Sequence, residues 1–239
     1  MTVIVAAVTA QNSRGVRSVH PLPARAIRAQ LQSVWQQVQP DAVCVGLVPD
    51  AAGVRALQTF FASLTHRPPM VVDPVLRASS GDALSQRSAL AALKRLLPLA
   101  TIVNPNVEEA ARLSGSRIHN VAQADSAALA LSRCGCAVLL TGHLSGANST
   151  DILARAGRLQ HFAQPRARTT MRGMGGILAA ALSVFLARGV GLESAILRAQ
   201  RFVHSALASA RPLGNGKRQL WLPPRAGNGA RKRSKERNL

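Results

Sequence analysis

Thr101-Ile102-Val103-Asn104-Pro105-Asn106-Val107-Glu108-Glu109-Ala110-Ala111-Arg112-Leu113 passes from strand to helix in a single short stretch. Thr101 to Val103 is β-branched throughout and reads as a short strand. Asn104-Pro105-Asn106 ends it, and a helix follows over Val107 to Leu113. Glu109 lies in that helix's first turn, where the helix dipole favours acids.

The same alternation continues in both directions. Upstream, strands are predicted at Thr2 to Val8, Ala42 to Val45 and Met70-Val71-Val72. Between and after them come helices over Leu22 to Val38, Ala51 to Leu64 and Ser88 to Leu97. The first of these puts Ile27, Leu31, Val34 and Val38 on one face. Downstream, a helix over Ala124 to Arg133 leads to a strand at Ala137 to Leu140. A hairpin turns at Gly157 between Ile152 and Phe162. Helices at Ile177 to Leu186, with Gly189 as C-cap, and at Leu192 to Ala210 complete the pattern. Such a series makes βαβ units around a mainly parallel sheet, the α/β class.

At 239 residues the chain suits one such domain, placed at 1–222. Residues 223–239, with Pro223-Pro224-Arg225 and Arg231-Lys232-Arg233, hold almost nothing apolar and read as a disordered basic tail. Three cysteines, an odd number, argue against a disulfide framework and for a reducing, cytoplasmic setting. Cys134 and Cys136 read as plain core thiols, because no further ligand for a metal lies nearby. Met1 to Ala10 is apolar without a basic flank, hence a strand and not a signal peptide. No apolar run reaches the roughly 18 residues of a membrane span, so no membrane partner is expected.

The formal net charge is +20, with 26 Arg and four Lys. Such a field favours anionic partners, although cations scattered from Arg14 to Arg237 also fit a biased composition on solvated helix faces. Tyr is absent, so no aromatic stacking platform supports nucleic-acid binding by Arg225 to Arg237, and that partner is not expected.

Two stretches gather acids at predicted strand ends: Asp73 with Ser79-Ser80-Gly81-Asp82, and Glu108-Glu109. In open α/β sheets ligands bind outside the carboxyl ends of strands, and acids there can hold Mg²⁺ against substrate phosphates. The same acids also read as ordinary strand-end and helix-start residues. Gly173-Met174-Gly175-Gly176, ahead of a helix and beside Arg172, can aim backbone N–H groups at an anion. Small residues at that place also serve close packing alone.

Taken in order and spacing, these segments resemble the hydroxymethylpyrimidine/phosphomethylpyrimidine kinases, thiamine-pathway members of the ribokinase-like superfamily. The segments are Val8-Thr9-Ala10-Gln11-Asn12, Val19-His20-Pro21, Asp73-Pro74-Val75 with Ser80-Gly81-Asp82, Asn104 to Ala110, Leu139 to Leu144 and the glycine turn. The resemblance spans residues 1 to about 220. It implies a three-layer α/β/α fold with a mainly parallel central sheet and a first βα unit that would lie ahead of Met1. It implies ATP and Mg²⁺ as cofactors and transfer of a γ-phosphate to hydroxymethylpyrimidine or to its phosphate. A homodimer, as relatives form, is left open. By the same resemblance Gln11 contacts the pyrimidine, while Asp73 and Thr141 lie at the nucleotide phosphates; Arg172, where the family has a histidine, adds a cation at the edge of the glycine turn and is expected at the same phosphates. Asn106 and Glu109 organise the metal. Gly173, Gly175 and Gly176 form an anion hole, and His20 and His143 are read as hydrogen-bonded structural residues.

Three departures accompany the resemblance. Without the family's first unit, the pyrimidine pocket would lose a wall and a sheet edge would be exposed. Gly176 stands where the family has a catalytic Cys, and a positioned base is worth roughly 10²–10⁴-fold. Leu140 stands where a lysine is expected. These departures point to a kinase of weak or lost activity, or to a non-catalytic protein that senses the same ligands.

Overall fold

The computed structural model describes residues 1–12, 14–145, 148–165, 171, 173–213 and 217–220. The basic tail therefore lies outside the described residues.

Two strands, β1 (Ala7–Gln11) and β2 (Val16–Pro21), open the chain as an antiparallel ribbon. Helix α1 (Ala24–Gln37) follows, then β3 (Val43–Val45), α2 (Ala51–Ala62), β4 (Met70–Val72) and α3 (Arg87–Leu96). A 3₁₀ turn at Leu97–Leu99 leads to β5 (Ile102–Val103), α4 (Val107–Ser114) and α5 (Val121–Ser132). The meander β6 (Ala137–Ser145), β7 (Asn148–Arg155) and β8 (Arg158–Pro165) precedes α6 (Met174–Ala187) and α7 (Leu192–Ser209). A small pair, β9 (Arg211–Leu213) and β10 (Lys217–Gln219), ends the described chain.

The central sheet has six strands in the order β3-β4-β5-β6-β7-β8. β3 to β6 run parallel, each pair joined through helix, and β7 and β8 return antiparallel. Alternation along each strand sends successive side chains to opposite faces. Val72, Val103, Val138 and Leu140 face one core, which is covered by α1 to α5. Val71, Ile102, Ala137 and Leu139 face the other, covered by α6 and α7. The molecule is thus layered helix, sheet, helix, and both faces of the parallel strands are apolar because both are covered.

The amino terminus departs from the expected strand at Thr2 to Val8. Pairing begins only at Ala7, and the partner is β2 and not the central sheet. Residues 1–6 carry no strand, and Val3 and Val5 are exposed. β3, at the edge of the sheet, has β4 as its partner among the described residues.

Val38 is a second correction. Helix α1 ends at Gln37, and Val38 becomes an exposed, extended C-cap. Trp35 packs at that end instead, edge-on against Phe60 and Phe61 at 5.0 and 5.4 Å. The predicted hairpin at Gly157 is present; the C-cap of α6 is Arg188, one residue before the predicted Gly189, which follows it with φ 72°. No helix among the described residues is long and apolar enough to cross a membrane.

Candidate active site

Beyond the carboxyl ends of β4 and β5, and midway along β6 where its apolar run ends, polar residues take over. Asp73 continues β4 by one residue, its N–H donating to the Val45 carbonyl at 2.8 Å. Asn104 continues β5 in the same way, donating to the Val72 carbonyl at 2.9 Å. Thr141 lies one residue beyond Leu140 on β6, and its N–H donates to the Pro105 carbonyl at 2.9 Å. By strand alternation all three share the face of Val71, Ile102 and Leu139, beneath α6.

Helix α6 covers this row with its N-terminus. Gly173 is its N-cap, in the left-handed region at φ 74°, so the helix starts at Met174, earlier than the Ile177 predicted. The amides of Met174, Gly175 and Gly176 are then first-turn N–H groups, which have no acceptor within their own helix. No cap side chain or acidic residue occupies that turn. A Cβ placed on Gly175 would lie 3.6 Å from Oδ1 of Asp73, and one on Gly176 would lie 3.6 Å from Oδ2. The start of α6 is therefore laid directly on the Asp73 carboxylate.

Asp73 and Glu109 are both buried. Burial, followed by the neighbouring charge of Glu109, pushes the Asp73 carboxyl up to about 7. Burial likewise raises Glu109, opposed by hydrogen bonds from the backbone N–H groups of Asn106 and Leu76. Glu109 and Asn106 form a reciprocal capping box at the start of α4. The Asn106 Oδ1 accepts the Glu109 N–H at 2.9 Å, and Glu109 Oε2 accepts the Asn106 N–H at 3.0 Å. Two buried acids close enough to repel one another fit a divalent cation, and Mg²⁺ binds through one or two carboxylates while keeping most of its waters. No group of three or more His, Cys, Asp or Glu side chains suited to a metal occurs among the described residues.

The remaining predicted site residues fall into place unequally. Thr141 is drawn to the α4 motif by a parallel bridge to Asn106, and its Oγ1 lies 3.4 Å from the Pro105 carbonyl oxygen. The bulge beside it is held by Gly142 (φ 75°), whose N–H donates to Asp151 at 3.1 Å; Asp151 in turn accepts from Gln200 at 2.8 Å. Leu140 is fully buried in the opposite core, so Thr141 is the residue of this pair that faces α6. Gln11 ends β1 on an exposed ribbon. That ribbon is tied to the loop after Asp73 by Asp82, which accepts the Val16 N–H at 2.9 Å and the Ser80 hydroxyl at 2.8 Å. Glu108 points outward to Arg77 and Arg112 and stands apart from the site. His20 is exposed and hydrogen-bonded to Ser18. Arg172 lies outside the described residues, as does the His143 side chain.

Sequence reasoning passed over Asn104. It is 1% exposed, and neither its Nδ2 nor its Oδ1 has a hydrogen-bond partner among the described residues. A buried orphan amide costs about 1–3 kcal/mol, and this one lies next to Asp73 under the helix start. The available signal was an amide directly at the end of an apolar strand.

Residues 1–221 match the family model described as phosphomethylpyrimidine kinase. The chain is 36% identical over 217 residues to the hydroxymethylpyrimidine/phosphomethylpyrimidine kinase of Streptomyces coelicolor, covering 89% of this chain and 80% of that protein. It is 38% identical over 217 residues to the thiamine biosynthesis bifunctional protein ThiED of Geobacter sulfurreducens, of which it spans 44%. The crystal structure of the phosphomethylpyrimidine kinase from Clostridium difficile 630 superposes with a TM-score of 0.73 at 28% identity, covering 85% of this chain and 84% of that one.

Proposed function

The chain belongs to the phosphomethylpyrimidine kinase family, and on that footing we propose that it transfers the γ-phosphate of ATP to hydroxymethylpyrimidine or its monophosphate, at a rate lowered by Gly176. The observation that carries this reading is the first turn of α6 resting on Asp73, opposite a second buried acid.

Phosphoryl transfer needs positioning and charge neutralisation more than covalent help from the protein. The amides of Met174, Gly175 and Gly176, backed by the helix dipole, receive the developing charge on the transferred group. By the family resemblance Thr141 serves the nucleotide phosphates, and Gln11 on the ribbon contacts the pyrimidine. Mg²⁺ held near Asp73 and Glu109 neutralises phosphate charge when bound. The Asn106–Glu109 box fixes the orientation of the second acid, and burial of Asp73 supports keeping bulk water from the reacting oxygens.

A base is what the turn lacks. Gly176 has helical backbone geometry, and a Cβ there would meet Asp73 Oδ2 at an ordinary 3.6 Å. The backbone there therefore accepts a Cβ. The experiment is to assay the native chain and Gly176→Cys side by side with Mg-ATP and hydroxymethylpyrimidine. The native chain should turn over slowly and the variant faster by about 10²–10⁴-fold. No phosphorylation by either protein defeats the catalytic reading. The absent side chain at 176 also favours a second reading, a non-catalytic sensor. Its mark is thermal stabilisation by ligand, about 2.7 kcal/mol at a hundredfold excess over Kd, without product.

A further inference from the structure

Cys134 and Cys136 flank the turn that carries the chain from α5 into β6, at the end of the strands away from the polar row. The turn is abrupt. Cys134 N–H donates to the Leu131 carbonyl at 3.4 Å and Gly135 N–H to that of Ser132 at 3.1 Å. Gly135 then takes φ 100°, a region that side chains rarely adopt. This geometry folds the two sulfurs back on each other, with Sγ to Sγ at 3.4 Å. Cys136 is 3% exposed and belongs to the core beneath α5, whereas Cys134 is half-buried and reachable from solvent. The expectation of two plain core thiols therefore holds for Cys136 alone.

We propose that Cys134-Gly135-Cys136 is a redox-active dithiol, closed to an intramolecular disulfide by a hydroperoxide and reopened by small-molecule thiols. The outer sulfur is the attacking one. The Cys136 thiol donates a hydrogen bond to it, and the backbone N–H groups of Cys136 and Cys134 add to this against the opposing effect of burial. Together they draw Cys134 down to about 6, so that it is a thiolate near neutral pH. The same contact, with burial second, pushes Cys136 up, so it keeps its proton. A reachable thiolate beside a protonated resolving thiol is the arrangement that oxidation-sensing cysteines share.

The chemistry balances with one hydroperoxide. The Cys134 thiolate attacks a peroxide oxygen; the S–O bond forms, the O–O bond breaks, and the departing oxyanion takes a proton from water. Cys134 is then a sulfenic acid. The Cys136 sulfur attacks the Cys134 sulfur; the S–S bond forms, the S–O bond breaks, and hydroxide leaves with the Cys136 proton as water. Two thiols are oxidised by two electrons and the peroxide bond is reduced. A bonded pair needs the sulfurs at about 2.05 Å, so closure draws Cys136 partly out of its core site. Strained and accessible disulfides are the readily reduced ones, which suits a reversible pair. Cys44 is no competitor: its strand β3 is three places from β6 in the sheet, about 14 Å at ordinary strand spacing. Cys44 is exposed to solvent, so its thiol stays open to alkylation, but it lies too far from the pair to bridge to it.

The test uses the full chain, hydrogen peroxide as oxidant and dithiothreitol as reductant. Peptide mass spectrometry should show loss of two hydrogen atoms from the peptide spanning 134–136, restored by dithiothreitol, with Cys44 still alkylatable. Iodoacetamide labelling of Cys134 should be half-maximal near pH 6 in the native chain. In Cys136→Ala the midpoint should move up by about two pH units, towards the ordinary thiol range. Because that variant alters a core position, Cys134→Ser serves as the second: peroxide should then leave Cys136 as a free thiol. Cys134 stopping at sulfenic or sulfinic acid with Cys136 reduced overturns the assignment. So does a disulfide to Cys44, or a native labelling midpoint near 8.5.

Discussion

Asp73 carries an electrostatic cost that its surroundings do not relieve. Its carboxyl is raised from 3.8 to about 7 by burial and by Glu109, and both causes act in the same direction. The folded chain therefore binds this proton more tightly than the unfolded chain does. The stabilising contribution is complete below about pH 4 and is lost as pH rises through about 7, amounting to roughly 4 kcal/mol. Asp73→Asn should accordingly be more stable than the native chain at pH 8 and no more stable at pH 4, as read from urea midpoints; a pH-independent difference would refute this. The same variant should lose its Mg-nucleotide thermal shift. Asn104 has the related character of a polar group placed for something other than stability. Asn104→Leu keeps the volume and removes the orphan amide, so the ligand-free protein should gain about 1–3 kcal/mol. A lowered urea midpoint would show that the amide is satisfied in solution. Both residues lie in segments that the sequence marked as candidates, but only Asp73 was singled out. Strand-end acids advertise themselves by charge, whereas the burial of an amide becomes visible only once β5 is known to sit between two covered strands.

Among the elements, α4 shows how one motif serves two purposes. Asn106 and Glu109 were read as metal-organising residues through family resemblance, and the structure shows them capping one another. The two roles are compatible, since the box holds the buried carboxylate in a fixed orientation. Asn106→Ala should cost about 0.5–2 kcal/mol through the lost cap, while Asn106→Asp, which retains an acceptor, should recover most of it. Equal losses in both variants by chemical denaturation would mean that the cap contributes little. Helices and parallel strands were legible because β-branched runs and helical periodicity recur in a fixed order. The boundaries that failed have local causes. The glycine turn hid the first turn of α6, because Gly173, Gly175 and Gly176 weaken helix propensity where the helix starts. The strand over residues 2–8 slid to 7–11 because an apolar run states that a segment is extended without stating its partner.

The whole molecule is a ribokinase-like α/β sandwich whose polar row was largely predictable, because the carboxyl ends of parallel strands are where such sheets bind ligands. What the sequence withheld is which side chains share a face. Strand alternation separates Leu140 from Thr141, and the turn of helix α4 separates Glu108 from Glu109. Register also divides the sheet in another sense. β6, β7 and β8 pair residues 137–165 with near neighbours in sequence, whereas β3 to β6 meet only after helical crossovers. Short-range pairings close with little loss of chain entropy, and distant ones form late. The meander should therefore act as the folding nucleus on which the parallel strands later dock. In stopped-flow refolding, Leu153→Ala should chiefly slow folding, and Val45→Ala, on the far edge strand, should chiefly speed unfolding. The parallel half of the sheet, which carries Asp73 and Asn104 at its strand ends, would then be the last part of the chain to mature and the first to open.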